Sequence, residues 1–191
     1  MRSRPPKERA DAVRNREKVL AAAAKLFQEK GVENVSMDAV AAAAGVGKGT
    51  VFRRFGDRSG LAVALLDERE RELQERILSG PPPLGPGAPA ADRLAAFADA
   101  YLSYLFGHLD LVRVSETAGQ GARYRIGAYR FWHRHIAILL GEARPACDGE
   151  ALAHTLLAPL AADHVTALRE ELGDDRIRQA IREAALAVAN A

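Results

Sequence analysis

The stretch that most constrains this chain runs from Ser36 to Phe55 and reads SMDAVAAAAGVGKGTVFRRF. A serine directly before an apolar-periodic run predicts a helix start, because its hydroxyl can accept an orphan backbone N–H. Gly45 follows Ala44 and predicts an early stop, since glycine tolerates the positive φ of a tight turn. A second short helix is expected from about Gly47 to Phe55, with Val51 and Phe55 inward. Two helices crossing steeply need small residues where they touch, and Ala41 and Ala44 meet that need. The second helix would then present Lys48, Thr50, Arg53 and Arg54 outward. A polar, basic helix face of this kind suits the major groove of a duplex. Gly47 and Gly49 would let its first backbone N–H groups approach phosphate or base edges.

The rest of the chain reads as helix throughout. Alanine is abundant, β-branched residues are sparse, and no strand pattern or internal repeat occurs. Residues 1–14, with Pro5-Pro6 and many charges, are read as a flexible arm. A first helix is expected over about 15–30, closed by Gly31. Another is expected over 58–79 after an Asp57 cap. Its stripe of Leu61, Leu65, Glu68, Glu72 and Glu75 weakens along its length, which predicts a far end that is more exposed or shared between domains. The run GPPPLGPGAPA over 80–90 cannot continue a helix. Further helices are expected over about 91–106, 109–117, 123–142, 149–172 and from 174 onward, with Pro159 kinking the fourth of these. The fold class expected is therefore all-α, with about nine helices. An N-terminal three-helix helix-turn-helix unit (residues 1–57, arm included) precedes a helical domain over 58–191.

Charge is divided along the same line. Residues 1–58 hold thirteen Lys/Arg against seven Asp/Glu, and the remainder fourteen against eighteen. All five lysines lie in the first part. A basic unit joined to an acidic one points to a polyanionic partner for the first unit only. The single cysteine, Cys147, cannot form an internal disulfide, which fits a reducing compartment. No window approaches the ~18 apolar residues of a membrane span, and the basic N-terminus leads into no apolar signal segment. A cytoplasmic location and no membrane partner follow as expectations.

Catalytic readings fare poorly. The run Gly45-Val46-Gly47-Lys48-Gly49-Thr50 lacks the Ser or Thr directly after lysine that a phosphate-binding loop needs, and no strand precedes it. His133 and His135 diverge by about 200° on a helix, and His154 and His164 also diverge. No metal, no cofactor and no enzymatic activity is expected.

Residues 15–65 resemble the tetracycline-repressor (TetR) family of bacterial regulators. The resemblance is carried by Val19-Leu20, Ala22-Ala23, Leu26-Phe27, Glu29-Lys30-Gly31, Ser36-Met37, Val40-Ala41, Ala44-Gly45-Val46, Lys48-Gly49-Thr50-Val51-Phe52, Phe55, Asp57-Arg58 and Leu61. It implies that Ser36 caps the second helix and touches phosphate, and that Lys48, Gly49 and Thr50 contact bases or backbone. It places Arg54 where the family often has a phosphate-binding histidine and Arg58 where a lysine usually grips phosphate. Gly47 stands in place of the common serine cap. Phe52 stands in place of a common tyrosine and can pack against a sugar or a thymine methyl.

The resemblance further implies a transcriptional regulator, more readily a repressor than an activator. It implies a homodimer on a near-palindromic double-stranded operator, its recognition helices roughly 34–36 Å apart. Leu156, Leu160, Leu168, Ile177, Ile181 and Val188 are the candidate dimer surface. A small-molecule effector would bind in the C-terminal domain. The aromatic-rich stretch there supplies Tyr101, Tyr104, Glu116, Tyr129, Trp132 and His133 as candidate contacts. The alternative is a non-catalytic helical interaction protein whose basic unit binds a protein or membrane surface. The basic arm residues Arg2, Arg4, Lys7 and Arg9 are candidates for a minor-groove or backbone contact.

Overall fold

A computed structural model describes the backbone of residues 6–191 and side chains from residue 10 onward. Ten α-helices and two 3-10 turns make up its regular structure. The chain divides into two compact units, one ending at Leu66 and the other beginning at Asp67.

The first unit starts earlier than the sequence suggests. Helix α1 spans Pro6–Lys30, so residues 6–14 are helical rather than an open arm. Proline is tolerated at the first helical position, where its missing N–H would have no partner anyway. Lys7, Glu8, Arg9, Ala10 and Ala12 are good helix formers, and Arg14 pairs with Asp11 one turn away. The proposed DNA contacts of Arg2, Arg4, Lys7 and Arg9 lie outside the described residues. A 3-10 turn over Val32–Asn34 leads to α2 (Met37–Ala44), α3 (Lys48–Phe55) and the first turns of α4 (Arg58–Ser79). The core of this unit includes Val19, Ala23, Phe27, Val40, Ala41, Val51, Leu61 and Leu66.

The second unit holds the rest of α4 and six more helices. These are α5 (Ala90–Gly107), α6 (Leu109–Glu116), α7 (Ala122–Arg125), α8 (Gly127–Ala143), α9 (Gly149–Leu157) and α10 (Ala162–Asn190). Helices α5, α8, α9 and α10 form its packed centre, around Phe97, Leu102, Leu105, Ile136, Leu139, Leu140, Leu157 and Leu160. The expected weakening of α4 is corrected here. Its inward stripe is Leu66, Glu70, Leu73 and Ile77, one register away from the one read in sequence. Leu73 is 4% exposed and Ile77 1%. One face of the far end of α4 is thus buried, while Glu75, Arg76, Leu78 and Ser79 stay exposed.

Two expected helices are divided. The one over 123–142 becomes α7 and α8, separated by an extended Ile126 at φ −67°, ψ 133°. That break lets Arg123 turn inward. The helix over 149–172 is interrupted at 158–161 by a 3-10 turn and an extended Ala161. Pro159, which has no N–H to donate backward, ends α9 there rather than bending it. Within α10, Gly173 takes φ 72°, ψ 164° and makes the break expected before Asp174. Arg169 spans that kink to Asp174 through two bonds of 2.6 and 2.7 Å. Among the described residues, no helix is long and apolar enough to cross a membrane.

Candidate nucleic-acid interface

The turn between α2 and α3 is built as its residues require. Ser36 Oγ accepts from the Ala39 N–H at 3.1 Å and caps α2. Gly45 adopts φ 62°, ψ 33°, and the Val46 N–H closes the turn on the Ala41 carbonyl at 3.1 Å. A side chain at position 45 would be strained in that left-handed conformation. Gly47 begins α3 with no side-chain cap, and the space around Gly47 and Gly49 is open. The first N–H groups of α3 therefore face outward without a side chain over them.

Helix α3 has one anchored face and one free face. Val51 is 0% exposed, and Thr50 and Phe55 are half-buried. Lys48, Gly49, Phe52, Arg53 and Arg54 are exposed. The Lys48 ammonium pairs with Asp38 Oδ2 of α2 at 2.6 Å and lies 5.7 Å from the centre of the Phe52 ring. Arg54 donates to the Ala12 carbonyl of α1 at 3.1 Å. Beside it, an open groove of about 500 Å³ runs between α1 and α3, with Asn15, Thr50, Arg53 and Arg54 on its walls. Arg58 is placed differently. It donates to the Glu33 carbonyl at 2.6 Å and pairs with Glu33 Oε2 at 2.7 Å, bracing α4 against the 3-10 turn.

Gly60 was not marked by the sequence reading, yet the turn into α4 depends on it. A Cβ there would fall 1.9 Å from the Phe55 carbonyl oxygen. Its N–H is bonded to Asp57 Oδ1 at 2.9 Å, which makes Asp57 the cap of α4.

In the second unit, Tyr101, Tyr104, Glu116, Tyr129 and Trp132 line one cavity, as a group. It measures about 20 Å³, room for roughly one water. Two further charged residues line it, Glu70 and Arg123. The inward register of α4 was the signal that could have found Glu70. No local signal marks Arg123. His133 lies elsewhere. Its Nε2 is 3.0 Å from the Glu150 carbonyl oxygen, and its ring is 4.0 Å from that of His154. His154 Nδ1 in turn meets the Tyr129 hydroxyl at 2.7 Å.

The two acids of the cavity are held differently. Glu116 Oε1 is 3.0 Å from Arg123 Nε, a close ion pair that is off the N–H line. The other Glu116 oxygen accepts from the Ala162 N–H at 2.8 Å. Arg123 also donates to the Leu157 carbonyl at 2.7 Å. The pair therefore clips both ends of the α9–α10 break, with a cation at a helix C-terminus and an anion at a helix N-terminus. Burial outweighs Arg123 and the Ala162 N–H, and pushes the Glu116 carboxyl above its ordinary value. Glu70 accepts from the Tyr104 hydroxyl at 2.9 Å. Burial pushes it up too, and Asp67 adds to the effect.

Of the candidate dimer residues, Leu160 and Ile177 are 2% and 5% exposed and serve the subunit's own core. Leu156, Leu168, Ile181 and Val188 are partly exposed.

Residues 19–65 match the sequence profile of the bacterial regulatory proteins of the tetR family. An HTH-type transcriptional regulator of Staphylococcus aureus (strain bovine RF122 / ET3-1) is 49% identical over 69 residues. That stretch is 36% of this chain and 36% of the relative, so the chain matches about a third of the relative's length. Two solved structures share the fold along nearly the whole chain. A TetR-family transcriptional regulator from Pectobacterium atrosepticum superposes with a TM-score of 0.68 at 24% identity, covering 94% of each chain. A transcriptional regulator from Saccharomonospora viridis, solved in complex with choline, gives 0.61 at 21% identity, covering 88% of this chain and 93% of that one. With its turn built on Ser36 and Gly45, the stretch 19–65 matches the tetR family of bacterial regulatory proteins, and the chain as a whole shares the fold of the solved regulators.

Proposed function

We propose that the protein is a DNA-binding transcriptional regulator whose helix α3 enters the major groove. The observation that carries this is the division of α3 into a face anchored by Val51 and an exposed face bearing Lys48, Arg53 and Arg54. Lys48, Thr50 and Arg53 read base edges or adjacent phosphates. Gly47 and Gly49 allow close backbone approach, and Phe52 offers an apolar contact for a sugar or methyl group. Ser36, Arg54 and Arg58 hold the phosphate backbone, Arg58 by exchanging its Glu33 partner for phosphate. Residues 1–57 carry this role.

The protein acts as a cytoplasmic homodimer on a near-palindromic operator, most simply as a repressor that blocks a promoter by occupancy. Leu156, Leu168, Ile181 and Val188 are the part-exposed apolar residues available for the dimer surface. A small-molecule effector binds the second unit at the cavity of Tyr101, Tyr104, Glu116, Tyr129 and Trp132, and shifts the population away from the DNA-binding form. A structural neighbour's complex with choline supports a ligand role for this fold.

Selection of bound duplexes from a random pool tests the reading, and a two-fold-symmetric consensus is the expected result. On the selected duplex, Lys48→Ala and Thr50→Ala should each weaken binding by about tenfold or more, in line with ~1–3 kcal/mol per good base contact. Thermal stability should not change. Wild-type affinity in both variants removes α3 as the reading helix.

A further inference from the structure

We propose that the cavity between Glu70, Tyr101, Tyr104 and Trp132 takes a small organic cation with an ammonium head group. The inference rests on the effector reading of the second unit and names the chemistry of that effector.

Charge is the first argument. Three charged side chains line the cavity, Glu70, Glu116 and Arg123, and the last two form an ion pair. Glu116 is held by Arg123 and by the Ala162 N–H. Arg123 is spent on Glu116, on the Leu157 carbonyl and over the Tyr129 ring at 5.5 Å. Glu70 is left with the Tyr104 hydroxyl as its hydrogen-bond partner, and no described Lys, Arg or His forms an ion pair with it. A half-buried carboxylate without a cation is costly, and a ligand cation would relieve that cost. An anionic ligand would meet an excess carboxylate and a committed arginine.

The walls are the second argument. Tyr101 stands 5.8 Å from Tyr104 and 5.8 Å edge-on from Trp132. Aromatic faces grouped about a carboxylate are the chemistry that holds alkylammonium groups, through the ring quadrupole and without hydrogen bonds to the ligand. Neutral apolar ligands would use the rings but leave Glu70 unanswered.

Volume supplies the mechanism. At about 20 Å³ the cavity is closed to anything much larger than water. The cation can enter only if Tyr104, which is half-buried, turns off Glu70. The Tyr104–Glu70 bond ties α5 to α4, so the ligand would exchange a helix–helix bond for its own ion pair. Differential binding of this kind is what a population shift requires.

The test is calorimetry and thermal unfolding of the full chain with tetramethylammonium, choline and tetraethylammonium. The neutral alcohol in which carbon replaces the choline nitrogen is the control. At least one cation should raise the melting temperature and the control should not. Affinity should strengthen as pH rises, because the cation needs Glu70 ionised. Glu70→Gln should lose at least tenfold in affinity while remaining folded, and Tyr104→Phe, which removes the competing hydroxyl, should keep it. The proposal is overturned if no cation protects the wild type, if the neutral control protects equally, or if Glu70→Gln binds as the wild type does. Binding of the selected duplex, measured without cation in the wild type and in Glu70→Gln, is an independent readout. Its loss in the wild type would sink the regulator reading and leave the cation site standing.

Discussion

The two units use ion pairs in opposite ways. In the first, Lys48 and Asp38 meet at 2.6 Å, with side chains 63% and 56% exposed. In the second, Glu116 and Arg123 meet at 3.0 Å, both 10% exposed. The exposed pair is worth little, about 0–1 kcal/mol, because water and salt screen it. Lys48 can therefore leave Asp38 for a phosphate or a base at small cost. The buried pair has no such freedom. Breaking it strands a charge where nothing else can answer it. One unit is built to exchange partners with the outside, the other to keep them.

The largest expected effect tests that contrast in the second unit. Arg123→Ala should cost about 3–5 kcal/mol, because it leaves Glu116 buried without its cation and the Leu157 carbonyl without its donor. For a chain of this length the melting temperature should fall by about 10 °C, taking ~2–4 °C per kcal/mol. Adding Glu116→Gln to that variant should recover part of the loss, since the stranded charge goes with it. An Arg123→Ala protein that melts within a degree of wild type would show the clip to be dispensable and the contrast false.

What was legible in the sequence follows the same division. The α2–α3 turn rests on neighbours in the chain: Ser36 reaches Ala39, and Val46 reaches Ala41. Such signals survive without knowledge of the fold. The aromatic side of the cavity was also readable, because Tyr101 and Tyr104 share one helix and Tyr129 and Trp132 another. Glu116 was named beside them, but its pairing was not legible, and Glu70 and Arg123 went unmarked. Glu116 meets the N–H of Ala162, 46 positions away, and Arg123 meets Leu157, 34 away. No periodicity encodes a pairing of that span. Glu70 was hidden by a register choice, since Leu65, Glu68 and Glu72 also fit a helical spacing on α4. The true stripe through Leu66, Leu73 and Ile77 needed the packing to select it. Helix α1 was read short because charge and Pro5-Pro6 suggested disorder, whereas proline at a helix start favours the opposite.

A smaller effect is expected from pH, and it sharpens the contrast. Burial raises the Glu70 carboxyl in the folded state. A carboxyl raised on folding adds stability while it is protonated, below its unfolded value, and loses that contribution as pH rises through the folded value. Glu70→Gln cannot titrate there. The melting temperature of the wild type should therefore fall relative to Glu70→Gln between acid and neutral pH. Parallel pH profiles for the two proteins would mean that Glu70 finds a cation unaided.

The smallest effect belongs to the exposed pair. Asp38→Asn should change stability by no more than about 1 kcal/mol, the sum of a weak surface pair and a favourable charge in the first turn of α2. Its effect on DNA should have the opposite sign. Asp38 holds the Lys48 ammonium and places a negative charge beside the face proposed to meet phosphate. Removing it frees Lys48 in advance and removes that repulsion, so operator affinity should rise by a few-fold at low salt. The gain should shrink as salt is added, because both terms are screened. In Lys48→Ala the same substitution should act only through repulsion and give a smaller gain. If Asp38→Asn instead weakens binding at every salt concentration, the pair is not a store of an available cation. It then holds Lys48 in the pose that reads the duplex, and the exposed unit would keep its partners as tightly as the buried one.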